Sequence, residues 1–319
     1  MNTVYFLVQQ TMFFSIPLLI VALGGMFSER SGVVNIALEG IMIMGAFSGI
    51  LFINVMQSAA GLPPQLLLLL AVLVAAAVGV LVSMTHAYAA INMKADQVIS
   101  GTAINMFAPA FAIFAARMIR SVQQIPFRND FRIAKVPLLG DIPVLGPLLF
   151  QNTYITTYLG FAVLAVSAVV LYKTRFGLRL RACGEHPQAA DSVGVNVYKM
   201  RYAGVAISGA LGGIGGLVFV IPTSTNFNAS VAGYGFLALA VLIFGQWRPS
   251  RILFAAFFFG LMKTIASAYS GIPFLANLGV PNDIYKMIPY IATLIVLAFT
   301  SKNSMAPRAE GVPYDKGSR

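Results

Sequence analysis

Few residues of this 319-residue chain have the types and spacing that catalysis requires. The single cysteine, Cys183, excludes an intrachain disulfide, and the two histidines, His86 and His186, lie far apart without a surrounding metal-ligand set. Paired carboxylates are absent, and so is the GxxxxGK(S/T) loop that holds nucleotide phosphates in P-loop proteins. The sequence therefore predicts no catalytic residue, no metal site and no ATP hydrolysis by the P-loop route.

The polar groups of most interest lie within apolar stretches. Asn35 and Glu39 are four residues apart and would share one helix face, while Asn105 precedes Pro109 by four residues at a possible kink. An ionisable group at membrane depth is costly and faces the bundle interior or a watery cavity. Two interpretations stay open. These groups line a polar path, or they brace a broken helix, with Lys263 pairing with Glu39 or extending towards water.

Composition indicates the elements that position these groups. The chain is 58% hydrophobic and 10% charged, with a mean hydropathy of +0.82. A soluble domain of this length could not hide so much apolar surface. Apolar segments near the length that crosses a bilayer recur about nine times (eight to ten), and lipid requires each to be helical. The expected spans are residues 3–23, 33–55, 66–89, 98–116, 154–172, 202–221, 234–245, 252–270 and 285–300.

These segments predict an all-α, polytopic membrane helical bundle over residues 1–300. The seventh segment is short and flanked by Gly233 and Gly245, which suggests a half-helix or a re-entrant element. Residues 301–319 are polar and are expected to form a disordered cytoplasmic tail. The small residues Ser208, Gly212 and Gly216 predict a close helix-packing face whose partner helix the sequence does not identify.

The distribution of basic residues predicts the orientation. Residues 173–201 hold six Lys and Arg residues against Glu185 and Asp191, which places this loop in the cytoplasm. Counting helices from it puts the N-terminus outside and the C-terminus inside. The net charge of +11 then reflects cytoplasmic loops and not nucleic-acid binding. Residues 117–153 are an exception to the rule that basic loops lie in the cytoplasm, since this loop is basic but is assigned to the outside. Either the helix count is off by one there, or these charges act on the outer face.

The longest cytoplasmic loop carries a helix signal. It reads KTRFGLRLRACGEHPQAADSVGVNVYKMRY, in which Pro187 suits a first helical turn and Gly194 suits a helix end. The pattern predicts a short helix over residues 187–193, with small residues that allow a partner to approach closely. Composition alone favours the alternative, an ordinary solvated connector.

Three segments resemble one family of membrane proteins. ERSGVVNIALEGIMIMGAFSG, GLRLRACGEHPQAADSVGVNV and AGYGFLALAVLIFGQWRP occur in the order found in permease subunits of bacterial ATP-binding-cassette importers for branched-chain amino acids, ribose and nucleosides. The first is most similar to the nucleoside-type branch, and the chain looks like the shorter of two paired permeases. The resemblance implies a type II importer fold in the plasma (inner) membrane and a coupling helix within residues 185–195. The implied coupling residues are Glu185, His186, Pro187, Ala189, Ala190, Asp191 and Gly194.

The resemblance also implies the partners. A cytoplasmic ATPase would hold ATP and Mg, so this chain itself would need no cofactor, and a second homologous permease would complete the path. A substrate-binding lipoprotein would dock outside the membrane, where acidic groups could pair with exposed cations. The implied docking residues are Arg117, Arg120, Arg128 and Arg132. Solvation or contact with lipid headgroups is the alternative role for these cations.

The same resemblance suggests how polar and aromatic groups could serve a path for nucleosides. Amides and a carboxylate would hydrogen-bond the ribose or base, and aromatics near the outer ends could form a gate or stack on a base. An interfacial aromatic belt is the alternative for the latter. The implied path residues are Asn35, Glu39, Asn105, Asn226, Phe227 and Tyr234.

Other functions remain in competition. A permease of the same kind could carry sugars or branched-chain amino acids. A secondary transporter would need energy-coupling carboxylates in the membrane, where Glu39 stands almost alone, with Asp96 at an edge. An intramembrane enzyme would need a catalytic set at membrane depth, which the sequence lacks.

Overall fold

A computed structural model of the chain describes residues 2–59, 61–269, 281–300 and 304–317. Each predicted apolar segment contains a helix. Seven of the described helices are long and apolar enough to cross a membrane, and the seventh predicted segment forms a shorter helix of 11 residues. The helices are α1 (Asn2–Arg30), α2 (Leu38–Ala59), α3 (Pro64–Ile91), α4 (Gln97–Arg120), α5 (Ile155–Lys173), α6 (Arg175–Glu185), α7 (Pro187–Ser192), α8 (Val197–Thr223), α9 (Tyr234–Phe244), α10 (Pro249–Ala268) and α11 (Asn282–Thr300). The predicted all-α polytopic bundle is confirmed, although α2 begins at Leu38 and residues 33–37 are not helical.

Four short strands interrupt the helical pattern. β1 (Ile125–Pro126) pairs antiparallel with β4 (Asn226–Phe227), and β2 (Ile133–Lys135) pairs antiparallel with β3 (Gln151–Thr153). Strands of this length carry too few residues to show an alternating pattern, so the sequence did not predict them. The β1–β4 pair holds the long segment after α4 against the segment that joins α8 to α9, and the β2–β3 pair closes a hairpin within the long segment.

The glycine-rich face of α8 is the centre of the bundle. A Cβ added at Gly216 would lie 2.0 Å from the carbonyl oxygen of Met42 in α2, and one at Gly213 would lie 2.2 Å from that of Ala75 in α3. On a third side, a Cβ at Gly215 would meet Val21 of α1 at 2.2 Å. Close approach of backbones supplies the van der Waals contact that holds membrane helices together. The partner helices of this face therefore belong to the same chain.

The chain has two distinct ends. Arg30 lies 3.6 Å from Glu185, and Lys94 lies 2.8 Å from Asp315, so α1, α3, α6 and the C-terminal segment meet at what we call the basic end. At the other end, Gln9 donates to the carbonyl of Pro147 at 2.7 Å. Residues 121–153 thus lie opposite to residues 173–201. The helix count is therefore not off by one, and the cations of residues 117–153 do lie on the far side.

Residues 304–317 pack against the basic end. Ala309 N–H donates to Gly184 O at 2.8 Å, Gly311 N–H donates to Gly32 O at 3.2 Å, and Arg201 Nη1 donates to Val312 O at 3.0 Å. Ala309 and Tyr314 are buried. The expectation of a disordered tail is therefore wrong for these residues. The polar composition of the tail suggested disorder, but the apolar surface and the hydrogen-bond partners that order it come from other elements.

A pair of carboxyl groups, buried at Glu29 and half-buried at Glu310, joins this tail to α1. The side chain of Glu310 hydrogen-bonds with that of Glu29, which also accepts a hydrogen bond from Trp247 Nε1. Burial raises the pKa of Glu310 to about 7 from its ordinary value of 4.5, while the pairing with Glu29 and the charge of Arg30 act in the opposite direction. The docked tail therefore favours the protonated carboxyl.

We expect tail docking to weaken as the pH rises. The raised pKa of Glu310 contributes stability that is complete below about pH 4.5 and is lost as the pH rises through about 7. Hydrogen-exchange protection factors of residues 304–317 should fall several-fold between about pH 5.5 and pH 8.5. The Glu310→Gln variant should lose less protection than wild type across that range, and an unchanged pH dependence in this variant would contradict the explanation.

Candidate functional site

The polar residues near α2 brace an interruption between two helices. Residues 31–37 are non-helical, and their backbone groups bond to side chains of α3 and α4. His86 Nε2 lies 2.8 Å from Val34 O, Gln97 Oε1 accepts from Val34 N–H at 2.7 Å, and Asn105 Nδ2 donates to Ile36 O at 2.8 Å. Asn105 Oδ1 also accepts from Gly40 N–H at 2.8 Å. Side chains thus replace the hydrogen bonds that a continuous helix would supply.

Glu39 holds the beginning of α9. Its Oε1 accepts from Gly233 N–H at 2.9 Å and its Oε2 accepts from Gly235 N–H at 2.6 Å. A carboxylate is favourable there because the first N–H groups of a helix lack partners and carry partial positive charge. A Cβ at Gly235 would lie 2.3 Å from Glu39 N, so only glycine permits this approach. Both carboxylate oxygens are engaged within the protein.

This contact lies deep in the bundle. α9 has 11 residues and ends at the turn that carries Trp247, whose carbonyl accepts from Arg30 at the basic end. A helix of that length extends about 16 Å, roughly half of a bilayer core. The seventh predicted segment is therefore a half-helix that begins near mid-depth. The suggested pair between Lys263 and Glu39 is absent from the ion pairs of the described residues, and Lys263 Nζ instead lies 5.9 Å from the centroid of the Tyr234 ring.

The remaining predicted path residues separate into two places. Asn35 is fully buried and donates to Ser208 Oγ at 2.8 Å, and Tyr234 is buried against Phe219 with ring centroids 4.0 Å apart. Asn226 and Phe227 lie in β4 at the end opposite to the basic end. Phe227 is buried beside Phe47, so it does not belong to an interfacial aromatic belt. The structure does not bring these residues to one surface.

A cavity that the sequence did not predict adjoins Tyr234. It has a volume of about 390 Å³ and lies between α9, α10 and α11. Its walls are mainly apolar, and Lys263 is the cation among the described residues that line it. Its walls include Gly233, Tyr234, Phe236, Leu237, Lys263 and Tyr290. Concave apolar sites with a few polar groups are the usual form of small-molecule sites.

The predicted helix of the long loop forms as α7. Pro187 occupies its first turn, and Gly194 follows with a φ of +83°, a conformation that favours glycine. Pro187 and Ala190 are buried, whereas His186 and Ala189 are exposed. Asp191 lies 3.9 Å from Lys316 of the tail. The helix α6 before it was not predicted, because its basic, irregular sequence has no apolar run.

Contacts at the junction of α6 and α7 connect these helices to the bundle. Glu185 lies 3.6 Å from Arg30 at the end of α1, and Gly184 O accepts from Ala309 of the tail. A Cβ at Gly184 would lie 2.4 Å from Arg30 O, so the backbones of α6 and α1 approach closely. The junction of the two short helices is therefore packed against both α1 and the tail.

The basic side chains at the opposite end are accessible. Arg117 and Arg120 are exposed in the last turn of α4, and Arg132 is exposed beyond them. Arg128 is also exposed but lies 3.6 Å from Asp130. Lys135 forms an ion pair with Asp141. Arg117, Arg120 and Arg132 form no ion pair among the described residues.

We expect replacement of Glu39 by glutamine to destabilise the bundle. An amide offers one acceptor oxygen where the carboxylate offers two, so one N–H of α9 would lose its partner. An unsatisfied buried donor costs about 1–3 kcal/mol. Thermal unfolding of the detergent-purified protein should show a clearly lower midpoint.

Asp96→Asn is the matched control for that variant. Asp96 caps α4 by accepting from Val98 N–H at 2.7 Å and from Ile99 N–H at 3.1 Å, but it is exposed to solvent. Asparagine caps a helix about as well as aspartate there, so the cost should stay below about 0.5 kcal/mol. Equally small effects at both positions would show that Glu39 does not hold α9.

Comparisons with known proteins agree with the fold. The family model described as the permease component of a branched-chain amino acid transport system matches residues 7–297. The guanosine ABC transporter permease protein NupQ of Bacillus subtilis is 46% identical, covering 98% of this chain and 97% of NupQ. The nucleoside ABC transporter permease protein NupC of Lactococcus lactis is 42% identical, covering 99% of this chain and 98% of NupC. The permease NupB of the same organism is 24% identical, covering 95% of this chain and 82% of NupB.

No solved structure gave a significant match. The family model spans nearly the whole bundle, including the interruption before α2, the short helices α6 and α7, and α9. The two relatives above 40% identity match from end to end and are themselves membrane-transport components. This chain therefore belongs to the permease family of branched-chain amino acid transport systems.

Proposed function

We propose that the chain is the membrane-spanning permease subunit of an ATP-driven nucleoside importer and forms half of the translocation path. The observation that carries this proposal is end-to-end similarity at 46% and 42% identity to permeases named for guanosine and nucleosides. A transport role, and not an enzymatic one, also fits a bundle in which Glu39 and Asn105 hydrogen-bond to backbone groups. Permeases for branched-chain amino acids or sugars are the alternative, and the former is supported by the description of the family model.

The proposed orientation places the basic end in the cytoplasm. Residues 173–201 concentrate Lys and Arg there, and Arg30, Lys94 and Arg248 lie nearby, as expected for cytoplasmic loops. The N-terminus and residues 121–153 are then outside. The cations of residues 117–153, whose position outside is not explained by the rule for basic cytoplasmic loops, are then available to a partner on the outer face.

Energy would enter through α7. The exposed side of this helix, with His186, Gln188 and Ala189, offers a small projecting surface to an ATPase that holds ATP and Mg. The contacts of Glu185 with Arg30 and of Gly184 with Ala309 would carry a displacement of α7 to α1 and the tail. Closure of the ATPases would thereby switch the path between outward and inward openings.

The path would be completed by a second permease. Lactococcus lactis has two similar permeases, NupB and NupC, both named for a nucleoside ABC transporter, which supports a heterologous pair. The cavity beside Tyr234 and Lys263 supports a path along α9 that is only weakly polar. Selectivity would then reside mainly in an external binding lipoprotein that delivers the solute.

We expect replacement of residues 187–192 by Gly and Ser to uncouple the transporter. The complex should assemble and hydrolyse ATP, but uptake of radiolabelled guanosine into proteoliposomes should fall about ten-fold or more because a flexible segment transmits no displacement. The control variant Ser192→Ala keeps the helix and its exposed contact residues and should transport normally. Normal uptake by the Gly-Ser variant would contradict the coupling role, and uptake of sugars or branched-chain amino acids in place of guanosine would contradict the proposed substrate.

We expect charge reversal of Arg117 and Arg120 to weaken docking of the external receptor. In the Arg117→Glu and Arg120→Glu double variant, half-maximal stimulation of ATPase activity should require about ten-fold more receptor. The difference from wild type should be greatest at low salt. ATPase activity without receptor should not change. Lys135→Gln is the matched control, since that cation already pairs with Asp141. An unchanged receptor response in the double variant would remove these residues from the docking surface.

A further inference from the structure

A second cavity lies at the basic end, away from α9. It has a volume of about 470 Å³ and lies between the end of α1, the end of α5, α6 and the beginning of α10. Its described lining residues carry three guanidinium groups and no carboxylate. They include Arg30, Ala168, Tyr172, Arg181, Arg248 and Ser250.

The cations of this cavity retain binding capacity. Arg30 lies 3.6 Å from Glu185 and donates to Trp247 O at 3.2 Å, yet its Nε is buried with no hydrogen-bond partner among the described residues. Arg181 stacks on the Tyr172 ring, with 5.1 Å between the guanidinium carbon and the ring centroid. No ion pair of the described residues involves Arg181 or Arg248. The site therefore carries excess positive charge.

One side of the cavity continues into the apolar surface of the bundle. Val169 lies three residues before Tyr172 on α5, and Phe254 lies four residues after Ser250 on α10, so each extends a lining face along its helix. Val169 is 54% exposed and Phe254 is 74% exposed. A ligand in this place would meet cations at one end and exposed apolar side chains at the other.

We propose that this cavity binds the headgroup phosphate of an anionic phospholipid whose acyl chains lie between α5 and α10. Guanidinium groups bind phosphate oxygens through paired N–H donors, and basic pockets between membrane helices recognise anionic headgroups. The unpaired N–H groups in the first turn of α10 add a favourable partial charge beside Ser250. The assignment to the cytoplasmic leaflet follows from the proposed orientation, but the binding chemistry does not depend on it.

A lipid fits this site better than a free anion does. Inorganic phosphate would satisfy the guanidinium groups but would leave Ala168 and the exposed side chains of Val169 and Phe254 without a ligand partner. A phospholipid contacts both regions at once. It would also touch Arg30, which joins α1 to α6. Its binding would therefore stabilise the contact between α1 and the short helices α6 and α7.

Native mass spectrometry of the full chain in its transporter complex tests the proposal. The complex is exposed to equal amounts of dioleoylphosphatidylglycerol and dioleoylphosphatidylcholine. Wild type should retain phosphatidylglycerol in preference. The Arg181→Gln and Arg248→Gln double variant should bind it about ten-fold more weakly. Arg251→Gln removes an exposed cation from the same turn of α10 that does not line the cavity, and it should bind phosphatidylglycerol as wild type does.

Several results would overturn the proposal. These are equal retention of the two lipids, unchanged binding by the double variant, an equal loss in Arg251→Gln, or displacement of the lipid by millimolar inorganic phosphate. If the double variant does not assemble, wild type still decides the matter. A photoreactive phosphatidylglycerol should label α5 and α10 around Val169 and Phe254, and labelling confined to other helices would contradict the site.

Discussion

Backbone groups that leave the helical pattern within a membrane must find partners inside the protein, and this requirement shapes the centre of the bundle. The chain meets it twice with side chains from neighbouring helices. Asn105 bonds to both sides of the start of α2, at Ile36 and Gly40, and Glu39 of α2 holds the first N–H groups of α9. Because Glu39 is itself positioned by that first turn, one hydrogen-bond network joins α4, α2 and α9. The half-helix α9 depends on it for its beginning.

The basic end is organised by a second network, which joins segments distant in sequence. The tail bonds to α6 through Gly184 and to α8 through Arg201, while Arg30 of α1 contacts both Glu185 and Trp247 O. The short helices α6 and α7 are therefore packed against the bundle and the tail. In the proposed importer, force applied to α7 would reach α1, which packs closely against the glycine-rich face of α8.

The polar side chains within the membrane hydrogen-bond to the protein itself, and this affects how such a permease would select its solute. Glu39 and Asn105 spend their hydrogen-bonding capacity on backbone, and Asn35 is buried against Ser208. The cavity beside Lys263 is mainly apolar. A path with few free polar groups binds solutes weakly and releases them readily, which suits a transporter that receives its solute from a separate receptor.

The sequence by itself determined that the chain is a helical membrane protein, because apolar segments of bilayer length can satisfy their backbones only as helices. It also predicted the short helix α7, because Pro187 and Gly194 act locally at the helix ends. The family resemblance, too, came from the sequence alone. Only the tertiary structure showed that Glu39 and Asn105 hydrogen-bond to backbone groups of neighbouring segments, because these partners lie far away in sequence. The docked tail escaped prediction because contacts from other elements hold it. The four short strands have too few residues to show an alternating pattern. α6 was missed although Thr174 caps it and its buried residues recur at helical spacing, because its basic sequence has no apolar run.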